Sequence, residues 1–304
     1  MLEVNHLSIS FLQYKKGLKQ QQLKVIKDLS VSVHSGEILA VVGSSGSGKS
    51  LLAHAILGIL PTNATTEGTI YFDGGKLTPE KQEELRGKEI SFVPQSVNFL
   101  DPLMRVGTQV RTAARGASIS AQRKAFERFR LAKEVEKKFP FQLSGGMARR
   151  VLASTAMVSG AKLILADEPT PGMDPTVIKE ALKYFRELAD SGCAVLMITH
   201  DIGAALEIAD KIAVFYAGTT VETAMVDDFS GNGSKLRHPY SKALWRALPQ
   251  NDFVPIPGSQ PLPYANLPGC LFEPRCTFAT AECRQDEPKP REIRNGIVRC
   301  IHAT

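Results

Sequence analysis

Gly43-Ser44-Ser45-Gly46-Ser47-Gly48-Lys49-Ser50 follows the apolar run Ile38-Leu39-Ala40-Val41-Val42 and opens into Leu51-Leu52-Ala53-His54-Ala55-Ile56-Leu57. The octet fits G-x-x-x-x-G-K-[ST], a phosphate-binding loop. The run before it predicts a buried parallel strand, and the run after it predicts a helix. Glycines let a backbone wrap a polyphosphate without Cβ clashes. Loop amides and the helix N-terminus then turn their positive ends toward it. In that frame Lys49 reaches the β- and γ-phosphates and Ser50 holds Mg²⁺. A glycine-rich turn with a chance lysine is the plainer alternative. The strand–loop–helix context favours a nucleoside triphosphate.

Such a loop does not define a reaction without a carboxylate for Mg²⁺ and a group that activates water. Leu163-Ile164-Leu165-Ala166-Asp167-Glu168 supplies both. Four apolar residues end in two adjacent acids. In a parallel sheet the C-terminal strand ends form the ligand crevice. Asp167 is the expected Mg²⁺ carboxylate, directly or through water, and Glu168 the group that orients or deprotonates the attacking water. A third strand, Ala194-Val195-Leu196-Met197-Ile198-Thr199, ends at His200, which from there can reach a γ-phosphate. Gln95 follows the strand Glu89-Ile90-Ser91-Phe92-Val93 and can meet both Mg²⁺ and water.

The 304 residues suit one large domain plus an appendage, or two modest domains. No apolar run reaches the roughly 18 residues needed to span a bilayer. The start, Met1-Leu2-Glu3-Val4-Asn5-His6, has neither the basic nor the apolar stretch of a secretory leader. The expectation is a chain of the cytosol, or one held to the inner membrane face by a partner. The net charge is +6, with basic residues gathered only at Lys15-Lys16-Gly17-Leu18-Lys19 and between Arg123 and Lys138. Acids interleave with the second group, so it reads as a solvated face and no nucleic-acid partner is expected. Of five cysteines, Cys193 sits at an apolar strand edge and reads as core.

Between the two halves of the site lies Leu143-Ser144-Gly145-Gly146-Met147, ahead of a helix expected over 148–159. Two glycines at a helix N-terminus make another anion-binding end. With the phosphate-binding loop, Gln95, Asp167-Glu168, Pro171-Gly172-Met173-Asp174 and His200 in this order, the first 235 residues or so resemble the ATP-binding cassette (ABC) ATPases. Their signature is LSGGQ; here Met147 replaces the glutamine.

The resemblance implies an α/β P-loop NTPase cassette over 1–235. It has a RecA-like core, an antiparallel β subdomain and a helical subdomain at about 96–158. It implies head-to-tail pairs, in which Ser144, Gly145 and Gly146 meet the γ-phosphate of ATP held by the partner's loop. Asp174 links the two sites, although the usual T-A-L-D reads P-G-M-D here. The adenine stacks on an upstream aromatic, with Phe11 preferred to Tyr14 and a long hairpin loop expected over 13–24. Phe11 also fits an edge-strand core position. Residues 105–141 read as helical, and 96–104 as part of a dock for a membrane subunit's coupling helix.

After Gly231-Asn232-Gly233-Ser234 prolines recur and helix is expected only at 240–248. Cys270, Cys276, Cys283 and Cys300 follow, with five, six and sixteen residues between them. A cytosolic chain argues against a disulfide framework. Four thiolates suit a metal site, and the lack of a C-x₂-C pair favours a [4Fe–4S] cluster over Zn²⁺. Reduced cysteines packed as small hydrophobes are the alternative.

Gly269-Cys270-Leu271-Phe272-Glu273-Pro274-Arg275-Cys276, with Arg237-His238-Pro239-Tyr240-Ser241-Lys242-Ala243-Leu244, makes 236–304 resemble the C-terminal extension of peptide- and nickel-import ATPases, of the D-type cassette. That resemblance implies a second, different cassette as heterodimer partner, two transmembrane permease subunits and an extracytoplasmic substrate-binding protein. It places the chain at the cytoplasmic face of the membrane, with ATP and Mg²⁺ as cofactors and short peptides, nickel or metal chelates as cargo. A soluble repair or translation ATPase would need a long coiled coil or a second cassette. An exporter would not explain His238-Pro239-Tyr240. An ATP-regulated iron–sulfur sensor would not need Asp167, Glu168 and His200 together.

Overall fold

A computed structural model describes residues 1–14, 19–44, 46–113, 118–261 and 268–304. Strands β1 (Leu2–Tyr14) and β2 (Gln20–Val33) form an antiparallel hairpin, followed by the buried strand β3 (Ile38–Gly43) and helix α1 (Lys49–Leu57). Next come β4 (Ala64–Phe72), β5 (Gly75–Lys76), α2 (Pro79–Leu85) and β6 (Ile90–Val93). Helices α3 (Val106–Thr112), α4 (Ile119–Arg128) and α5 (Gly145–Ser159) occupy the middle. The alternation resumes with β7 (Leu163–Asp167), α6 (Pro175–Asp190), β8 (Ala194–Thr199), α7 (Ile202–Ile208) and β9 (Lys211–Tyr216). The chain continues with β10 (Thr219–Met225), α8 (Pro239–Arg246), β11 (Arg291–Ile293) and β12 (Gly296–Val298).

The strands make two sheets. One has the order β2-β1-β4-β5, and the other β11-β12-β10-β9-β3-β8-β7-β6. In the larger sheet β9, β3, β8, β7 and β6 run parallel. Strands β3, β7 and β8 are buried at every residue. That is the mark of a parallel sheet covered on both faces, and it explains why these runs are unbroken apolar sequence. Alternate residues of β3 face opposite ways. Ile38, Ala40 and Val42 join Val195, Met197, Phe185 and Ile202 in one core. Leu39 and Val41 join Leu52, Ile56, Leu196 and Ile198 under the small sheet.

The central helices carry a third core. Val106, Val110, Phe126, Phe129 and Val151 pack with Val177, Ala181 and Tyr184 of α6. The helical reading of 105–141 thus agrees with the described part of that segment. Two expectations shift. The hairpin loop over 13–24 is shorter, because Gln13 pairs with Gln21 and Tyr14 with Gln20. Helix α5 begins at Gly145, three residues early, because the Ser144 hydroxyl accepts the Met147 amide as a cap.

The larger surprise is the tail. Strand β12 pairs antiparallel with β10, matching Glu222 to Val298 and Thr223 to Ile297. Leu236, Tyr240, Trp245, Leu271 and Phe272 belong to the same core as Ile38 and Val195. The division expected at residue 235 is therefore no break in packing. Across it lies a buried polar knot. Both carboxylate oxygens of Glu222 accept backbone amides, one from Arg237 at 2.9 Å and one from His238 at 2.9 Å. The Arg237 guanidinium bridges Glu222 and Asp228, and its Nε donates to the Ile293 carbonyl. Arg237 and Glu222 side chains are 1% and 0% exposed. A buried pair of this kind is tolerable only because its lone pairs and protons are answered locally.

His238 caps α8: its Nδ1 accepts the Tyr240 amide at 3.0 Å. Burial holds its imidazole pKa down to about 3, against 6.5 in an exposed chain. Between those values the unfolded chain takes up a proton that the folded chain refuses. Stability is therefore complete above pH 6.5 and drains as pH falls, by about 1.4 kcal/mol per pH unit from this residue. Urea titrations at pH 7 and pH 5 should show a smaller loss for His238→Asn, which keeps a capping oxygen, than for the parent. Equal losses would remove His238 as the cause.

Candidate active site

Strands β3, β8 and β7 lie side by side and parallel, so their C-terminal ends meet at one edge of the sheet. The phosphate-binding loop leaves β3, His200 follows β8, and Asp167-Glu168 closes β7. Gly48 takes φ +97° where the loop turns into α1, and a Cβ there would press on Ile26 and Val25 at 3.1 and 3.2 Å. Only glycine makes that turn without strain. Ser45 lies outside the described residues. Gly43 ends β3, Ser44 and Gly46 are exposed, and the Ser47 hydroxyl donates to the Ser44 carbonyl at 2.8 Å.

Lys49 is 6% exposed, and its Nζ donates to the Gly43 and Ser44 carbonyls, both at 2.9 Å. Burial pulls its pKa down, while the charges of Glu168 and Asp167 pull it back. Burial likewise raises the Asp167 carboxyl, against a hydrogen bond from Ser50, and the neighbouring Glu168 charge adds to the rise. Both groups would gain from opposite charge: an anion at Lys49 and a cation at Asp167. Asp167 Oδ1 is buried without a hydrogen-bond partner among the described residues. An orphaned carboxylate oxygen beside Ser50 suits Mg²⁺, which binds through one or two protein oxygens plus phosphates and water.

Glu168 is 6% exposed and holds φ +48°, left-handed for a residue with a Cβ. Such a backbone costs about 1–3 kcal/mol and persists only where surroundings enforce it. Here the Glu168 amide donates to the Ile198 carbonyl of β8 at 2.8 Å. Its carboxylate faces His200, whose Nδ1 lies 2.8 and 2.9 Å from the two oxygens. The pairing leaves Nε2 of a half-exposed imidazole directed elsewhere. Gln95 is exposed just past β6.

Ser144 and Gly145 are exposed at the start of α5, and Gly146 is half-buried. Among the described residues no hydrogen bond joins them to the chain's own phosphate-binding loop. Asp174 caps α6, accepting from the Thr176 hydroxyl and the Val177 amide, which hold its carboxyl below the usual range. Phe11 sits in β1, an inner strand, pairing with Leu23 and Ala64 and packing half-buried on the second core. Tyr14 is 67% exposed.

A third wall of the site has no local signal in the sequence. A cavity of about 450 Å³ beside the loop is bounded by Ser44 and His200 on one side and by Tyr240, Gln260 and Arg275 on the other. No spacing rule links Ser44 to Gln260, 216 positions further on.

Cys270, Cys276, Cys283 and Cys300 line one cavity in the tail, with His302 and Phe272. Gly269 abuts the Cys283 carbonyl, leaving no room for a Cβ, and the Cys270 amide donates to that carbonyl at 2.8 Å. Burial lifts the Cys270 thiol to about 11 and raises Cys276 and Cys300 as well. Among the described residues no three His, Cys, Asp or Glu side chains form a set that could hold a single metal ion. Cys193 is buried, its thiol donating to backbone carbonyls of Ala161 and Lys162.

Fold and site together define a P-loop NTPase. Comparison with known proteins narrows this. Residues 26–171 match the ABC transporter family model, and 221–283 match that of the oligopeptide/dipeptide transporter C-terminal region. The oligopeptide transport ATP-binding protein OppD of Salmonella typhimurium is 34% identical over 307 residues, spanning 95% of this chain and 89% of its own. The dipeptide transport ATP-binding protein DppD of Haemophilus influenzae is 33% identical, spanning 99% and 94%. Among solved structures, the ATP-binding cassette MJ0796, dimeric in a post-hydrolysis state with ADP and Pi, superposes with a TM-score of 0.65 at 26% identity, over 74% of this chain and 99% of its own. The chain belongs to the ABC transporter ATP-binding proteins that carry the oligopeptide/dipeptide C-terminal region. It has the cassette fold with mixed α/β sheets, and it is an ATPase.

Replacing Glu168 by Gln keeps the shape of the site and removes the carboxylate expected to serve as the base. Phosphate release should fall by at least about 100-fold, the span typical of general-base loss, while ATP binding persists and ATP-bound pairs accumulate on size exclusion. Turnover at the parent rate would remove Glu168 from the base role.

Proposed function

We propose that this chain is the motor of an importer of short peptides. The observation that carries the reading is the edge where β3, β8 and β7 present Lys49, His200 and Asp167-Glu168 together, on a chain whose relatives are named for oligopeptide and dipeptide transport. Amides of residues 43–50 cradle the triphosphate and Lys49 neutralises its β- and γ-oxygens. Ser50, Asp167 and Gln95 hold Mg²⁺, which offsets charge on the phosphates. Glu168, fixed by the Ile198 carbonyl, orients the attacking water, and His200 turns Nε2 toward the γ-phosphate. Phe11 stacks on the adenine.

The signature end is open to solvent, which supports its use in trans. Ser144, Gly145 and Gly146 meet the γ-phosphate bound by a partner cassette, with Asp174 linking the two sites. The partner is a second, different cassette, so the pair is a heterodimer. ATP bridges the two, hydrolysis removes the bridge, and the cycle drives whatever binds the open and closed forms differently.

That load is a pair of transmembrane permease subunits, fed by an extracytoplasmic substrate-binding protein. Attachment is peripheral, through those permease subunits at the cytoplasmic face; among the described residues no helix is long and apolar enough to cross a membrane. A groove of about 500 Å³ lined by Leu57, Phe92, Phe99, Met104 and Leu152 supports a coupling helix docking there. Phe99 in its lining is 55% exposed, and Leu103, next in sequence to the lining residue Met104, is 87% exposed.

The tail cysteines are proposed to hold a [4Fe–4S] cluster. Four thiols lining one cavity support a shared thiolate-bound group, and the lack of a C-x₂-C pair favours the cluster over Zn²⁺. The cluster's cationic irons would keep the buried thiols deprotonated. Protein purified without oxygen should carry iron and acid-labile sulfide in near-equal amounts, both lost in Cys283→Ser. Zinc, or neither metal, would overturn the cluster.

Uptake of labelled nickel and of a labelled di- or oligopeptide should be compared in cells lacking this chain. Loss of peptide uptake alone is the expected result. Loss of nickel uptake alone would make it a metal importer's motor, and loss of neither would sink the import reading.

A further inference from the structure

The proline-rich stretch 254–261 leaves the end of the α8 region and runs to the phosphate-binding loop. Arg275 clips it in place. Its Nε donates to the Pro257 carbonyl at 2.7 Å and its Nη2 to the Ile256 carbonyl at 3.1 Å, while Nη1 reaches the Tyr216 hydroxyl. The guanidinium also lies over the rings of Tyr216 and Phe272. A planar fork with several donors sets two carbonyls in register, which a lysine does not do. Pro255 and Pro257 stiffen the clipped residues, and Gly258, at φ +74° beside the Arg275 side chain, turns the chain toward Gln260.

What the stretch delivers is Gln260. The Ser44 hydroxyl donates to its Oε1 at 2.5 Å, across 216 residues of sequence. Tyr240 lines the same cavity as Ser44 and Gln260. Ser44 is also where the loop grips its lysine, since its carbonyl accepts from both Lys49 Nζ and Ser47 Oγ. Holding the Ser44 side chain therefore fixes the limb of the loop that presents Lys49.

We infer that Gln260 is a positioning residue for the phosphate-binding loop, seated by Arg275, and that the tail thereby presets this chain's affinity for ATP. The reaction needs the loop in one shape. A loop already held in it surrenders less freedom when the triphosphate arrives. The inference concerns ATP binding alone and stands whether the cargo is a peptide or a metal.

The test is binding of ribose-labelled fluorescent ATP with Mg²⁺ to the full chain, carried on Glu168→Gln so that bound nucleotide is not turned over. Gln260→Ala should weaken binding roughly three- to tenfold, the span of one neutral hydrogen bond. Its melting temperature should stay within about 2 °C of the parent, as for a surface change. Ser44→Ala should weaken binding to the same degree, and the double variant no further, because the two residues act through one bond. Arg275→Lys should weaken binding in the parent and add nothing on Gln260→Ala. Affinity unchanged within about twofold, or effects of Ser44→Ala and Gln260→Ala that multiply, would overturn the inference. Tighter binding would overturn it too, by making the stretch a competitor of the nucleotide.

Discussion

The structure hangs on β3 and its two parallel neighbours. Strand β3 pairs with β8 through Ile38–Val195 to Val42–Thr199, and with β9 on its other side. No residue of β3 reaches solvent, so its register cannot slip without carrying one core into the place of the other. That register decides how far the phosphate-binding loop, Asp167 and His200 stand from one another. Three groups from distant sequence come to one edge because parallel strands end together. Glu168 takes its left-handed backbone only because the Ile198 carbonyl, one strand over, is there to receive its amide.

Where a residue's task follows from its local run, the sequence was legible. Strands β3, β7 and β8 declare themselves as unbroken apolar stretches with a polar residue at the exit, and the structure brings those exits to one edge of the sheet. The middle helices show in the charged, strand-free stretch. The Ser144 cap was within reach of sequence reasoning, since a serine ahead of a small-residue run is a helix start, although the helix was expected only from residue 148. The hairpin at residues 13–24 misled because Gln20, Gln21 and Gln22 carry no strand pattern. Their pairing is imposed by β1, whose own pattern is clear.

The tail resisted reading for a different reason. Strands of three residues, β11 and β12, hold too little sequence to show any period, and their identity comes from β10, seventy residues upstream. Arg237, Glu222 and Asp228 look like ordinary surface charges in sequence, although the first two are sealed from water. Composition pointed to the cysteines and distinguished them from the cassette. It could not show that Leu271 and Phe272, beside Cys270, pack into the same core as the phosphate-binding strand. Tail and nucleotide site thus share one rigid interior, and a shift around the cysteines has a short route through Phe272 and Tyr216 to Arg275.

The pairing of β12 with β10 also bears on how the chain is made. Synthesis runs from the N-terminus, and domains begin folding before it is finished. Until residues 296–298 emerge, β10 is the rim of an otherwise formed sheet, with a row of unpaired amides and carbonyls and a carboxylate at Glu222 suited to burial. An open rim of this sort invites pairing with another chain. A nascent product halted before residues 296–298 would carry a nearly complete ATP site and a sticky margin at once, which makes the interval before β12 emerges the hazardous one.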